Sequence, residues 1–175
     1  LGPEDDARAW RAWAREFARD VVRPVGDALD RMDAAEVPAP GSPLTALLEQ
    51  AHREGFTRLG APPRFGGFDL RLEDECLVVE ELAMADAAIA GLLLASPRPF
   101  AWAATCGSAA LADEFAAPYF SGARTDWIGC SAPPRPIEGI QARRDGDGWS
   151  LSGETGALTG GGIATHALVP CLIGD

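Results

Sequence analysis

The chain has no lysine: all 15 of its basic residues are arginine. That removes Schiff-base chemistry through a lysine amine and a phosphate-binding lysine of the Walker type. Histidine is almost as scarce, with only His52 and His166. The four cysteines, Cys76, Cys106, Cys130 and Cys171, are widely spaced and form no C-x-x-C pair. No zinc-ligand spacing arises locally from this set, so no metal is expected, and the thiols are expected to be buried and reduced. Positive charge is short overall. Fifteen basic against 26 acidic residues leave a formal charge of −11, which argues against nucleic acid and against an anionic membrane surface as partners. No apolar run approaches the roughly 20 residues of a membrane span. The opening Leu1-Gly-Pro-Glu-Asp-Asp6 is acidic where a secretory signal is basic, so the expected location is cytoplasmic.

What is present is an ordinary globular composition, 47% hydrophobic over 175 residues. That length suffices for one sizeable core, or for one domain and part of a second. Pro3 followed by Glu4, Asp5 and Asp6 opens a helix, with proline in the first turn and carboxylates at the positive end of the dipole. Trp10, Trp13, Phe17 and Val21 recur at helical spacing and predict a buried face. Pro24 predicts a kink or an end, with Val25 to Met32 as a second piece. Ser42 is placed to cap, and Pro43 to start, a helix carrying Leu44, Leu47, Leu48 and Ala51, stopped at Gly55. The stretch from Leu59 to Phe68, rich in glycine and proline, predicts irregular loop. The longest helix is expected from Leu72 to Ala95; its second half, from Ala83, is apolar nearly all round, as at the centre of a bundle. Further helices are expected over 100–106 and 108–120.

After Gly122 the pattern changes to short strands at 127–130, 139–144, 149–152 and 167–173, with Asp145-Gly-Asp-Gly148 as a hairpin turn. Helices first and strands afterwards make a segregated α+β chain. The expected division is a helical domain over residues 1–121 and a partial β domain over 122–175.

One stretch carries a motif. Trp149-Ser-Leu-Ser-Gly-Glu-Thr-Gly-Ala-Leu-Thr-Gly-Gly-Gly-Ile-Ala164 resembles the middle-domain signature G-Y-x-L-x-G-x-K-x-W-I-T-N-G-x-x-A of the acyl-CoA dehydrogenase family. Thr155 stands in place of its Lys, Ala157 of its Trp or Phe, and Gly160 of its Asn or Ser. Other segments follow in family order: Phe17-Ala-Arg-Asp-Val-Val-Arg-Pro24, Leu48 to Gly55, Gly60 to Gly67, Val79-Glu-Glu-Leu-Ala-Met-Ala-Asp-Ala87 and Pro118-Tyr-Phe-Ser-Gly122. Trp127-Ile-Gly-Cys-Ser-Ala-Pro133 is similar to the strand entering T-E-P-x-A-G-S-D. Ser131 takes the Thr place there, Ala132 the Glu place, and a shorter Pro134-Arg-Pro-Ile-Glu138 replaces the loop.

The resemblance implies a helical N-terminal bundle followed by the opening strands of a β-barrel-like domain, incomplete in this chain. It implies a flavoprotein that oxidises the α,β bond of an acyl thioester, passing hydride to FAD, with an electron-transfer flavoprotein as acceptor and a homo- or hetero-oligomeric assembly. Ser131, Leu158 and Thr159 match the flavin-contacting positions. The family's catalytic Glu belongs to a C-terminal domain, so no catalytic residue is assigned here; Glu80, Glu81 and Asp86 are read as ion-pair or solvent groups. Arg135 is read as a phosphate partner or a solvated side chain, Trp127 and Trp149 as core aromatics, and His166 as packed or on the surface. Gly160 to Gly162 fit a flexible turn or a close approach of backbone to a ligand, since no G-x-G-x-x-G opens a helix. Along the Ala83–Ala95 helix, which lines the acyl pocket by resemblance, Gly91 and the alanines imply room for a bulky group. Two alternatives stand beside the dehydrogenase: a non-catalytic subunit that pairs with a competent one, favoured by Ala157, Ala132 and the short loop, and a flavin monooxygenase on the same fold.

Overall fold

The computed structural model describes residues 3–68, 70–132 and 140–174, with side chains from Asp6 onward. Helices come first: α1 (Pro3–Phe17), α2 (Arg23–Leu29), α3 (Pro43–Glu54), α4 (Leu72–Ala85), α5 (Ala87–Ala95), α6 (Arg98–Thr105), α7 (Ala109–Leu111) and α8 (Ala117–Phe120). Five short strands follow: β1 (Gly129–Ser131), β2 (Gln141–Asp145), β3 (Gly148–Ser152), β4 (His166–Leu168) and β5 (Leu172–Ile173).

Pro24 does not end the first helix. A π-helical turn, Ala18–Val22, joins α1 to α2, and the Arg23 N–H reaches back to the Ala18 carbonyl. Widening the turn just ahead of the proline accommodates a residue that lacks an N–H and crowds the preceding carbonyls. A second π turn, Ala112–Ala116, likewise joins α7 to α8 ahead of Pro118.

The expected single helix from Leu72 to Ala95 is two. Asp86 breaks it with an extended backbone (φ −156°, ψ 116°), and its carboxylate accepts from the Ile89 N–H at 2.8 Å as the N-cap of α5. The same carboxylate fills the space over Gly26, where a Cβ would collide with it. The expectation of a fully central second half fails too: Ala83, Met84, Ala87 and Ala88 are exposed, and burial is confined to Ile89, Ala90, Leu92 and Leu93. Ser42 precedes α3 as expected but does not cap it; its hydroxyl donates to the Val37 carbonyl at 2.7 Å. Gly55 closes α3 in the left-handed conformation (φ 99°). The following loop holds two single 3₁₀ turns, Phe56–Arg58 and Pro63–Phe65. Of the cysteines only Cys130 is buried; Cys76, Cys106 and Cys171 are exposed, against expectation.

The main core joins α1, α3, α4 and α5 through Phe17, Val22, Leu47, Leu48, Phe56, Val78, Leu82, Ile89 and Leu93. On its flank Glu81, 5% exposed, takes Arg11 at 2.6 Å and Arg15 at 2.7 Å. These hydrogen bonds hold its carboxyl down at about 2. A second core gathers Phe100, Ala104, Ala116, Tyr119 and Phe120. The strands form two small sheets. β1 pairs with β4 in parallel, Ser131 opposite Leu168. β2 is central in the other, antiparallel to β3 across the Asp145–Gly148 hairpin and parallel to β5. Every residue of β3 is exposed.

Between the two cores lies His52, hydrogen-bonded through Nδ1 to the Thr57 hydroxyl (3.1 Å) and edge-on to the Tyr119 ring (4.8 Å). Burial first, then the Arg58 charge, lowers its pKa from 6.5 to about 4. Because the unfolded chain takes up this proton first, stability from His52 is complete above pH 6.5 and is lost as pH falls toward 4. The expected loss is about 2–3 kcal/mol. Urea midpoints measured from pH 7 to 4 should fall across this window, and His52→Asn should flatten that part of the profile. An unchanged profile would contradict the assignment.

Candidate functional site

The cleft with the best claim to a ligand is built from the edge of the β1/β4 pair, a loop and a helix. β1 is seated on the bundle by Gly129. Its N–H donates to Ser96 Oγ at 3.2 Å, and it lies so close to the Ser96 carbonyl and the Pro99 ring that no Cβ fits. Thr165 clamps the strand's entry: its hydroxyl accepts from the Ile128 N–H at 2.9 Å, and its own N–H donates to the Ile128 carbonyl at 2.8 Å. Two residues beyond Gly129, Ser131 reaches the cleft, with Ala132 tied to the Leu168 carbonyl at 2.9 Å.

The opposite wall is the segment Ala157, Leu158 and Thr159. It ends in a tight turn in which the Gly161 N–H donates to the Leu158 carbonyl at 2.9 Å. Gly160 takes φ +74° there, and a Cβ on it would meet Leu92 of α5 at 2.8 Å. The glycine run thus makes a turn, as expected, and its close approach is to α5. Thr159 thereby sits over Gly91, its methyl 3.9 Å from where a Cβ of that glycine would lie. The third wall is α6, through Arg98 and Trp102.

The cleft encloses about 750 Å³, within the roughly 300–1,000 Å³ of cofactor and small-molecule sites. All three sequence-predicted residues, Ser131, Leu158 and Thr159, line it, together with the two replaced positions Ala132 and Ala157. Ser131 Oγ is out of solvent and has no hydrogen-bond partner among the described residues. An unpaired buried hydroxyl costs about 1–3 kcal/mol and is a natural position for a ligand acceptor or donor. Arg135 and the shortened loop after Pro133 lie outside the described residues.

Sequence reasoning missed Arg98 and Trp102. Their spacing of four residues places them one above the other on a helix, but nothing in the sequence shows that this face meets Ser131. Trp149, expected in the core, is instead 48% exposed beneath the Arg144 guanidinium, 4.6 Å from its ring centre. Trp127 does join a ring cluster, with Phe100 at 5.7 Å and His166 at 4.4 Å. Burial, then the Arg124 charge, lowers the pKa of His166, and its Nδ1 shares a 2.8 Å hydrogen bond with the Thr165 hydroxyl. Glu80 and Glu81 pair with arginines and Asp86 caps a helix, so none of the three faces the cleft. A separate groove of about 600 Å³ runs between α1 and the loop before α4, lined by Asp6, Trp10, Trp13, Phe68 and the Arg71–Asp74 ion pair.

The family model for the acyl-CoA dehydrogenase N-terminal domain matches residues 4–123. The chain belongs to the acyl-CoA dehydrogenase family. A curated relative, the 3-(aryl)acrylate reductase of Clostridium sporogenes (strain ATCC 15579), is 24% identical over 168 residues, covering 91% of this chain and 41% of that protein. Among solved structures, nitroalkane oxidase superposes on the whole chain with a TM-score of 0.79 at 22% identity. A glutaryl-CoA dehydrogenase from Mycobacterium smegmatis, in complex with FADH2, does so with a TM-score of 0.75 at 22% identity. This chain covers 44% of each of those two structures, so it spans less than half the length of these relatives. The acyl-CoA dehydrogenase fold is thus represented by its helical part and a few strands of the part that follows. Among the described residues, no helix is long and apolar enough to cross a membrane.

Proposed function

We propose that this chain carries one side of the flavin site of an FAD-dependent oxidoreductase acting on the α,β bond of an acyl thioester. The observation that carries the reading is the buried, unpartnered Ser131 hydroxyl in the same cleft as Thr159. These residues fit a flavin: two hydroxyls and the backbone of the 157–159 segment offer hydrogen bonds along one edge of a slot whose remaining lining is largely apolar. Ser131, Leu158 and Thr159 would hold the isoalloxazine. FAD, when bound, supplies the hydride acceptor. Around it this chain excludes water and orients the ring edge through Ser131 and Thr159. No carboxylate of the described cleft lining stands as a base, and on this reading the proton-abstracting Glu comes from outside residues 1–175.

On this reading residues 1–121 are the helical domain and 122–175 the start of the β domain. The assembly is a homo- or hetero-oligomer, and an electron-transfer flavoprotein takes the electrons. The acrylate reductase relative makes an α,β-unsaturated aryl acid or its thioester a candidate for the same bond, reduced instead of oxidised. A second reading, a non-catalytic partner subunit, is favoured by Ala132 and Ala157, which replace polar and aromatic residues in the cleft lining.

The visible absorption spectrum, recorded before and after adding FAD and again after gel filtration, separates the two. Retained oxidised-flavin bands support the flavin site, and Ser131→Ala should then weaken FAD binding by about five- to tenfold, the worth of one hydrogen bond. A colourless protein that ignores FAD favours the partner-subunit reading.

A further inference from the structure

The chain has five tryptophans, and four of them are engaged. Trp10 and Trp13 pack edge to face at 5.7 Å, Trp13 also stacks on Phe56 at 3.8 Å, Trp127 stacks near Phe100, and Trp149 lies under Arg144. Trp102 alone has neither a ring nor a guanidinium partner among the described residues. It is 45% exposed and lines the 750 Å³ cleft from the α6 side, the only aromatic side chain in that lining. A large indole left half in water forgoes most of the burial and stacking that such a ring normally gains.

The surroundings of Trp102 explain how it stays there. Together with Leu168 it forms the partition between the cleft and a second, apolar one of about 320 Å³ lined by Pro99, Phe100, Ala103, Leu111 and Phe115. It is thus flanked by cleft on both sides. The cleft it shares with Ser131 and Thr159 has only methyl side chains at Ala132 and Ala157, so neither fills the space beside the indole with a large group. Arg98, one helical turn before Trp102, lines the same slot.

We propose that Trp102 is the stacking surface of this cleft: its indole packs against the planar ring system bound there and does the work that a side chain as small as Ala157 cannot do. The inference rests on the flavin reading above and adds to it a binding residue from α6. Because the indole comes from the helical part and Ser131 and Thr159 from the β part, the ring is gripped by both.

The test is a titration of the purified chain with FAD, following flavin fluorescence and absorbance. Trp102→Ala should raise the dissociation constant about tenfold, or about 1.4 kcal/mol, in line with base–aromatic stacking. Trp102→Leu, which keeps apolar bulk without a π face and guards against a collapsed cleft, should lose nearly as much. Trp102→Phe should stay within about threefold of the parent. Flavin bound to the Ala and Leu variants should also emit more strongly, because a stacked indole quenches it. Adding Ala157→Trp to Trp102→Ala should recover most of the lost affinity. If the Ala and Leu variants bind FAD as tightly as the parent, with unchanged emission, the proposal is overturned while the flavin site stands. If the parent itself binds no FAD, the flavin reading fails first, and this proposal falls with it.

Discussion

Gly129→Ala is expected to be among the most damaging single substitutions in the chain, costing at least about 3 kcal/mol. The added methyl would overlap the Ser96 carbonyl oxygen and stand 2.8 Å from Pro99 Cδ. Both obstacles are rigid: one is the backbone at the end of α5, the other a ring fixed at the start of α6. Relief requires β1 to lift from the bundle, which breaks the Gly129 N–H bond to Ser96 Oγ and draws Ser131 out of the cleft. The thermal midpoint should fall by roughly 6–12 °C for a chain of this size, and FAD binding should weaken with it. Gly162→Ala is the matched control. Nothing lies within 4 Å of its Cβ position and its φ is not positive, so the midpoint should move by no more than about 2 °C. Equal behaviour of the two variants would mean that β1 is not seated as described.

The sequence made the helical part legible because its signals are local. The Trp10, Trp13, Phe17 spacing, the Pro43 start and the Gly55 stop all act within a turn or two, and the helices begin and end where these signals place them. Where local signals compete, the structure departs from the local expectation. Asp86 in an apolar run reads locally as an ion-pair or solvent group, yet its side chain is a better cap than a mid-helix residue, and Gly26 on a neighbouring helix gives it room. The second helical piece expected after Pro24 is present as α2, but a π turn, invisible in composition, joins it to α1 without a break. Exposure of three of the four cysteines and of Ala83, Met84 and Trp149 likewise depends on what packs against each face, which no window of sequence states.

The site divides the same way. Ser131, Leu158 and Thr159 were found through a motif, and they converge on one cleft although 26 residues separate the first two. The pairing of β1 with β4, parallel and 37 residues apart at Gly129 and His166, is what brings them together. Arg98 and Trp102 belong to no motif; they enter the cleft only because Gly129 lets β1 approach α6 this closely. The glycine that seats the strand therefore also determines which helix furnishes the third wall.

Tyr119→Ala should be comparably severe, at about 3–5 kcal/mol, the usual cost of deleting a fully buried aromatic side chain. Tyr119 has no exposed surface; its ring stacks on Phe100 at 3.9 Å and meets His52 edge-on. Its hydroxyl shares a 3.2 Å hydrogen bond with Ser96 Oγ, the same atom that accepts the Gly129 N–H. One side chain thus links α3, α6, α8 and the seat of β1. Tyr119→Phe separates the two contributions: it keeps the stack and removes the hydroxyl, and should cost about 1 kcal/mol. Burial raises the phenol pKa well above its usual value, so the hydroxyl stays protonated in the folded chain; the loss in Tyr119→Phe should hold constant between pH 7 and 9 and shrink only near pH 10, where the unfolded tyrosine ionises. The two variants should also differ at the cleft. Tyr119→Ala should loosen β1 and weaken FAD binding together with stability, whereas Tyr119→Phe should leave FAD affinity within about twofold, since the Gly129 bond to Ser96 survives it. A Tyr119→Phe variant as unstable as Tyr119→Ala would instead assign the energy to the hydrogen bond and remove the stack from the account.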